Sequence, residues 1–392
     1  MQSGEAHHGR TIGRYGVFLS VIILAAGSRA PAQNLLSPGL APENVLVVYN
    51  QTSCDSGVIA RYYARVRNVQ ANHLCPIAVN PDVYALTLQE FRRQVRRPID
   101  DHIEREGLKD KIRCLLLTGD IPLGVNKGSP DRPDFLCLDS ALSDPSAAMR
   151  SPDVNPYQQL GHPVNRFQPV PFTAQVQSAA GGMMLVSRVD GPYLLAIKRM
   201  LDSARQAEES ARTGKPFRGT FYIDLHQHSR PGANAYNAVL ERCGENGKRL
   251  GDAVVIERTA ERLKSFDAGP AVFYAGWYTL DTSLNRGQTN WAPGAVAVEI
   301  NSASARNLRS FDNPDDMQNS YVAFFIAQGV AGTYGAFREP TLGGFARPDE
   351  VLIALGSGLT WAESYWSVIP NRNWQMVLLG DPLYRPFTGV QP

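Results

Sequence analysis

The sequence has almost no net charge and no block of either sign. Its 39 Lys and Arg residues stand against 37 Asp and Glu residues, a net +2 over 392 residues. Electrostatics therefore offers no footprint for nucleic acid, and none for an acidic partner or an anionic lipid surface. No C-x-x-C and no Cys/His spacing of a zinc site is present, so neither a metal nor a cofactor is expected. The G-x-S-x-G elbow of serine hydrolases is missing. A short-period repeat is missing too, which excludes a solenoid. Beyond Ala26 no apolar run approaches the ~20 residues that a membrane span needs.

What is present begins at the N-terminus. Arg10 and Arg14 precede an apolar run, Tyr15–Ala26, which is followed by Ala30-Pro31-Ala32. A basic region, an apolar region and an A-x-A site read as a secretory signal over 1–32. The expected location is periplasmic or extracellular, with no membrane span left once the signal is removed. All five cysteines (Cys54, Cys75, Cys114, Cys137 and Cys243) fall after it. An oxidising compartment permits a disulfide, but an odd count leaves at least one thiol unpaired. The bland expectation is that most are buried small hydrophobes.

The mature chain alternates strand and helix patterns. In the first half Asn44–Asn50, Leu74–Val79 and Cys114–Thr118 read as buried parallel strands. Asp55–Arg67 and Leu86–Arg105 read as helices, the second broken or kinked at Pro98. Met183–Val189 and a helix over Tyr193–Ala211 follow a loop-rich stretch, 126–178. The second half repeats the pattern, with strands at Thr220–Leu225, Ala253–Glu257, Ala271–Ala275, Ala295–Ile300, Ala331–Phe337 and Trp374–Leu379. Such alternation means βαβ units. The expected fold is α/β, with two side-by-side, mostly parallel sheets flanked by helices. The N-terminal subdomain is expected over 33–215 and the second over 216–392.

In open parallel sheets, ligands gather beyond the carboxyl ends of the strands. Two such ends fall in 269–305, where Gly276-Trp277-Tyr278 follows one strand and Asn301-Ser302-Ala303-Ser304 follows the next. Trp277, Tyr278 and Trp291 form an aromatic group that could stack on a sugar, grip a peptide, or cap the sheet end. Asn301 and Ser304 are candidate ligand contacts. Glu339, after a strand that neighbours Ser302 on this reading, ranks first among candidate functional acids. Ser302 becomes a candidate nucleophile if His226 or His228, both following Thr220–Leu225, supplies a base oriented by Asp224, Glu299 or Asp281. The alternative is a polar loop with two exposed histidines. A metal site on that H-x-H pair lacks a third ligand. Arg188 and Asp190 are expected to be a structural pair, and Gly380-Asp381-Pro382 a tight turn.

Seven segments in order, ENVLVVYN (43–50), IARYYARVRNV (59–69), LLLTGDIPLGV (115–125), LVSRVDGP (185–192), GAVAVEINSAS (294–304), GVAGTYGAFREP (329–340) and WQMVLLGDPLYRPF (374–387), carry a resemblance. They resemble an uncharacterised exported bacterial family found alongside exosortase sorting systems. More distantly, the layout is similar to the gingipain-type cysteine peptidases of the caspase-like fold. That resemblance implies a caspase-like second half in which a His in a G-H-G context follows one strand and a nucleophilic Cys follows the next. Here Trp277 falls at the histidine position and Ser302 at the cysteine position. The usual dyad is therefore absent. The resemblance implies a degenerate homologue, a pseudoenzyme, that binds a cell-surface peptide or glycan in the former cleft. The alternatives are a Ser302 hydrolase and a structural envelope protein without a ligand.

Overall fold

The computed structural model describes residues 39–392 except 145, 147–152, 163–166, 216, 226–231, 251, 260–262, 264, 279–289, 311–318, 373 and 388–392. The described residues belong to one compact unit, Ser37–Pro392. The proposed signal segment lies outside them.

The first half runs β1 (Val45–Asn50), α1 (Cys54–Arg67), β2 (Leu74–Ile77), β3 (Ala85–Thr87), α2 (Leu88–Glu90), a π-helical stretch (Phe91–Arg96), α3 (Arg97–Arg105), β4 (Cys114–Thr118), β5 (Gly124–Asn126), β6 (Phe135–Cys137), α4 (Leu138–Ser143), α5 (Pro156–Leu160), α6 (Ala174–Ala179), β7 (Leu185–Val189) and α7 (Leu194–Arg212). The second runs β8 (Thr220–Asp224), α8 (Ala233–Arg249), β9 (Ala253–Glu257), β10 (Ala271–Trp277), β11 (Trp291–Ile300), α9 (Tyr321–Ala327), β12 (Gly332–Ala336), α10 (Pro348–Gly356), α11 (Trp361–Trp366) and β13 (Met376–Gly380). Proline explains the π stretch. Pro98 has no N–H and its ring crowds the carbonyl four residues back, so the helix widens one turn upstream instead of breaking.

The fold is α/β with a large, mostly parallel sheet. Its order is β2-β1-β4-β7-β13-β12-β11-β10-β8-β9, and β3-β5-β6 form a small second sheet. The two halves do lie side by side, but edge to edge in one continuous sheet. The last strand, β13, returns to the middle, pairing antiparallel with β12 and meeting β7 at one residue pair, Leu379 opposite Arg188. β1, β4, β7, β8, β10, β12 and β13 are buried along their whole length, apart from the half-buried Tyr49. Burial on both faces gives the continuous Val/Leu-rich runs seen in the sequence.

Helix α1 shows how the chain end is fastened. Ser53 caps it by accepting from Ser56 N, and Asn68, at φ 55°, ends it. Its inner face presents Tyr63, whose hydroxyl donates to Asp381 at 2.9 Å, and Arg67, which pairs with Asp381 and with Glu208. Asp381 also accepts from Leu383 N at 2.9 Å, making the Gly380-Asp381-Pro382 bend the tight turn expected.

All five cysteines are free, and only Cys54 is exposed. Burial pushes the Cys75 and Cys137 thiols up to about 12, and raises the Cys114 and Cys243 thiols as well. The thiolate is the reactive form. A thiol-disulfide reagent added to native, reduced protein is therefore expected to titrate one thiol rapidly and, in denaturant, all five. A second fast thiol in the native protein would contradict this packing.

Candidate functional site

β10 and β11 pair in parallel through Gly276–Glu299 and Trp277–Ile300, so their carboxyl ends emerge side by side. Three polar side chains converge there. Ser302 N donates to the Tyr278 hydroxyl oxygen at 3.0 Å, and the Tyr278 and Ser302 hydroxyls lie 2.5 Å apart. The Ser302 hydroxyl then donates to Glu339 Oε2, leaving the Tyr278 O–H as donor to Ser302. Glu339 Oε1 accepts from Thr341 N at 2.7 Å. The chain of protons runs one way, from tyrosine to serine to carboxylate.

The backbone is strained around this group. Tyr278 has φ 54° and Thr341 φ 60°, conformations that L-residues seldom adopt. Asp120, at φ 65°, is a third such residue and lies after β4. Left-handed, non-glycine residues gather at sites where the surroundings over-determine a geometry. A cleft of about 260 Å³ opens over the group, walled by Trp277, Ile300, Leu342 and Phe345 and bordered by Asn301.

Several sequence expectations change. Strand β10 runs through Trp277, so Gly276 and Trp277 lie within it and not beyond its end. Trp277 is buried, packing against Tyr236 of α8 with ring centroids 5.5 Å apart. Trp291 does not belong to the site. It pairs with Ala271 at the amino end of β11, whereas Ile300 pairs with Trp277, roughly 20 Å further along β10, and it packs there against Phe266, Tyr274 and Phe325. Ser304 is buried, and its hydroxyl accepts from Ala336 N at 3.2 Å, fastening the 301–305 turn to β12 instead of facing the cleft. Asn301 does border the cleft. Its Oδ1 accepts from Ala303 N at 3.2 Å, and its buried Nδ2 has no hydrogen-bond partner among the described residues.

Glu299 is buried in β11 and accepts from the Tyr274 hydroxyl at 3.0 Å. His226, His228 and Asp281 lie outside the described residues. The strand preceding the two histidines, β8, is separated from β11 by β10. Asp224, at its end, accepts from Leu263 N at 3.0 Å.

The same sheet edge carries a second polar group. Arg309, in the segment after β11, pairs with Asp190 at 2.6 Å and with Asp120 at 3.1 Å. The carboxyl ends of β4, β7 and β11 are thereby tied together. Arg188 was expected to pair with Asp190, but its main partner is Asp139. Nη2 lies 2.6 Å from Asp139 Oδ1, whereas Asp190 is 3.7 Å away. Arg188 also donates to the carbonyls of Ile121 and Pro122 at 2.8 and 2.9 Å. Burial pushes the Asp139 carboxyl upward, and the Arg188 charge offsets this only in part. The pair is structural.

Comparison with solved structures finds a protein described as "Structure of Protease", 12% identical, with a TM-score of 0.45 over 88% of this chain and 79% of that one. No protein-family model matches the chain. No curated protein matches it either.

Among the described residues no group of three or more His, Cys, Asp or Glu is placed to hold a metal, and no helix is long and apolar enough to cross a membrane. Sequence reasoning missed Leu342 and Phe345 as cleft walls and Tyr236 as the support of Trp277. The Leu-Gly-Gly-Phe run after Glu339-Pro340 was the available signal, since paired glycines let a chain turn closely over a site.

Proposed function

We propose that this chain is an exported, non-peptidase relative of the caspase-like peptidases that binds peptide or glycan in the cleft at Ser302. The observation that carries this reading is the Tyr278–Ser302–Glu339 arrangement. Acyl transfer at a serine needs a base to take its proton and free N–H donors for the oxyanion. In this arrangement the Ser302 N–H is already given to Tyr278. The hydroxyl faces a carboxylate, a weaker base than imidazole, and Trp277, which has no basic nitrogen, stands where the resemblance implies histidine. A carboxylate and hydroxyls at the floor, with aromatic and aliphatic walls, suit a ligand that offers O–H or N–H groups. The order of sequence motifs supports a cell-surface setting beside an exosortase-type sorting system.

One observation favours a second reading, a hydrolase. The Ser302 hydroxyl already donates to an acid, so Glu339 could serve as its base. The third, a structural protein with a filled cleft, has less support, because neither Trp277 nor Trp291 occupies the space.

Calorimetric titration of the mature protein with neutral oligosaccharides and with short peptides tests the binding reading. Binding is expected from one set. Ser302→Ala and Glu339→Gln should each weaken it about tenfold or more, the worth of one hydrogen bond to a charged group. Unchanged affinity in both variants would reject this cleft as the binding site.

A further inference from the structure

The two edges of the large sheet are finished differently. At one, β2, Ile77 turns its carbonyl inward and accepts from Gln51 N at 2.9 Å, so the neighbouring Pro76 faces outward. Proline has no N–H, which spoils that edge as a template for another strand. At the other edge, β9, Ala253 N donates to Gly219 at 3.2 Å and Glu257 accepts from Leu225 N at 3.1 Å. Ala253, Val255 and Glu257 thus turn their backbone groups to β8, and Val254 and Ile256 turn theirs outward. Among the described residues nothing bonds to those outward groups. β9 has no buried residue, no Pro, no Lys and no bulge. It is an open edge.

The shape and charge around β9 are self-complementary. A second β9, antiparallel and related by a two-fold axis at Val255, sets Val254 against Ile256 of the second copy, and Ile256 against its Val254. Each pairing exchanges two N–H···O=C bonds, so all the outward groups are satisfied. Helix α8 lies over both β8 and β9. A Cβ on Gly244 would meet Val254 and Ile256 at 3.1 and 3.2 Å, and one on Gly247 would meet Phe221 at 2.7 Å. With strands about 4.8 Å apart, the two copies of α8 come to lie roughly 10 Å apart, a normal helix-packing distance. One side of α8 is taken, since Arg242 and Asn246 bond to Asp349 of α10. The other carries Glu241, which pairs with Arg258 just after β9. Lys248, exposed and two turns along, shares that face. Gly244, level with the axis, lies between them, so each Glu241 meets Lys248 of the second copy.

We infer that β9 and α8 form a self-association surface through which two copies of this chain join their sheets. Because the pairing is antiparallel, the two Ser302 clefts point in opposite directions and both stay open. Sedimentation velocity of the full mature chain, from low to high micromolar concentration, is expected to show a reversible dimer. Glu241→Lys and Lys248→Glu, both at surface positions, should each weaken it about tenfold, since each acts at two symmetry-related contacts. The double variant restores opposite charges and should recover the dimer. Val255→Cys in a Cys54→Ser background, oxidised mildly, should give a disulfide-linked dimer, because the two Val255 positions lie directly opposite. The remaining cysteines are buried. A folded protein that stays monomeric at every concentration and forms no such disulfide would overturn the inference. A dimer that neither charge reversal weakens and that the cysteine does not trap would overturn it too, by placing the interface elsewhere.

Discussion

Arg188→Met is expected to cost the fold about 3–5 kcal/mol, the usual penalty for stripping a buried charge of its partner. The guanidinium is fully buried, holds Asp139 through Nε and Nη2, and donates to the Ile121 and Pro122 carbonyls. Methionine fills most of the space but leaves the Asp139 carboxylate alone in an apolar setting. Burial then raises the carboxyl further above its unfolded value, so the native state binds a proton that the unfolded chain releases. Stability of the variant must accordingly fall as pH rises from about 4 toward 7, and its deficit against wild type shrink as pH drops. Urea unfolding at pH 4.5 and 7 measures this. Asp139→Leu added to Arg188→Met should recover part of the loss, though the Ile121 and Pro122 carbonyls stay unpaired. A deficit below 1 kcal/mol at pH 7 would show the pair to be dispensable.

Gly294→Ala is the other large effect, and it acts on the strand that carries Ser302. Gly294 has φ +86°, and a Cβ there would lie 2.4 Å from both Ala207 Cβ and the Tyr384 hydroxyl. Its carbonyl accepts from that hydroxyl at 2.6 Å, and its N–H donates to Ser203 at 2.9 Å. A left-handed alanine costs about 1–2 kcal/mol, and overpacking adds about 1–3 kcal/mol. Gly358 is the natural control, with the same φ of +86° and nothing within 4 Å of its would-be Cβ. Gly358→Ala should show the backbone cost alone. The difference between the two in urea unfolding isolates the steric part, and equal costs would mean that the site around Gly294 relaxes freely.

Residues near Gly294 also show what the sequence could and could not reveal. The run Cys114–Thr118 was legible to the residue because a strand buried on both faces is apolar at every position. Strand β11 was read as beginning at Ala295 because Pro293 and Gly294 resemble a boundary. The strand instead starts at Trp291 and passes through them in an irregular stretch, where the pairing with β10 shifts between Ala271 and Phe273. Bulged residues stay out of the ladder, so Pro and Gly are tolerated. That misreading placed Trp291 at the wrong end of the sheet. The small sheet escaped notice because each of its strands has three residues, too few to show a period. β13 gave no sign that it would return to the centre of the sheet, since register between distant strands is not written locally.

The candidate site was legible in part. That Ser302, Tyr278 and Glu339 lie together could be read because strand ends can be recognised, and a parallel sheet brings neighbouring ends together. Their hydrogen-bond chain could not, because it depends on Tyr278 and Thr341 adopting positive φ. The tie from Arg309 to Asp120 and Asp190 spans more than a hundred residues of sequence and follows only from the fold.

The most direct test of a binding site rather than a catalytic one is reaction of purified, folded protein with a fluorophosphonate, followed by intact-mass analysis of wild type, Ser302→Ala and Glu339→Gln. The arrangement at Ser302, with its N–H occupied and no imidazole in contact among the described residues, predicts no adduct on wild type under conditions that fully label a serine hydrolase. An adduct on wild type that is lost in Ser302→Ala would contradict the account and make the protein a serine hydrolase. Loss in Glu339→Gln as well would name its base.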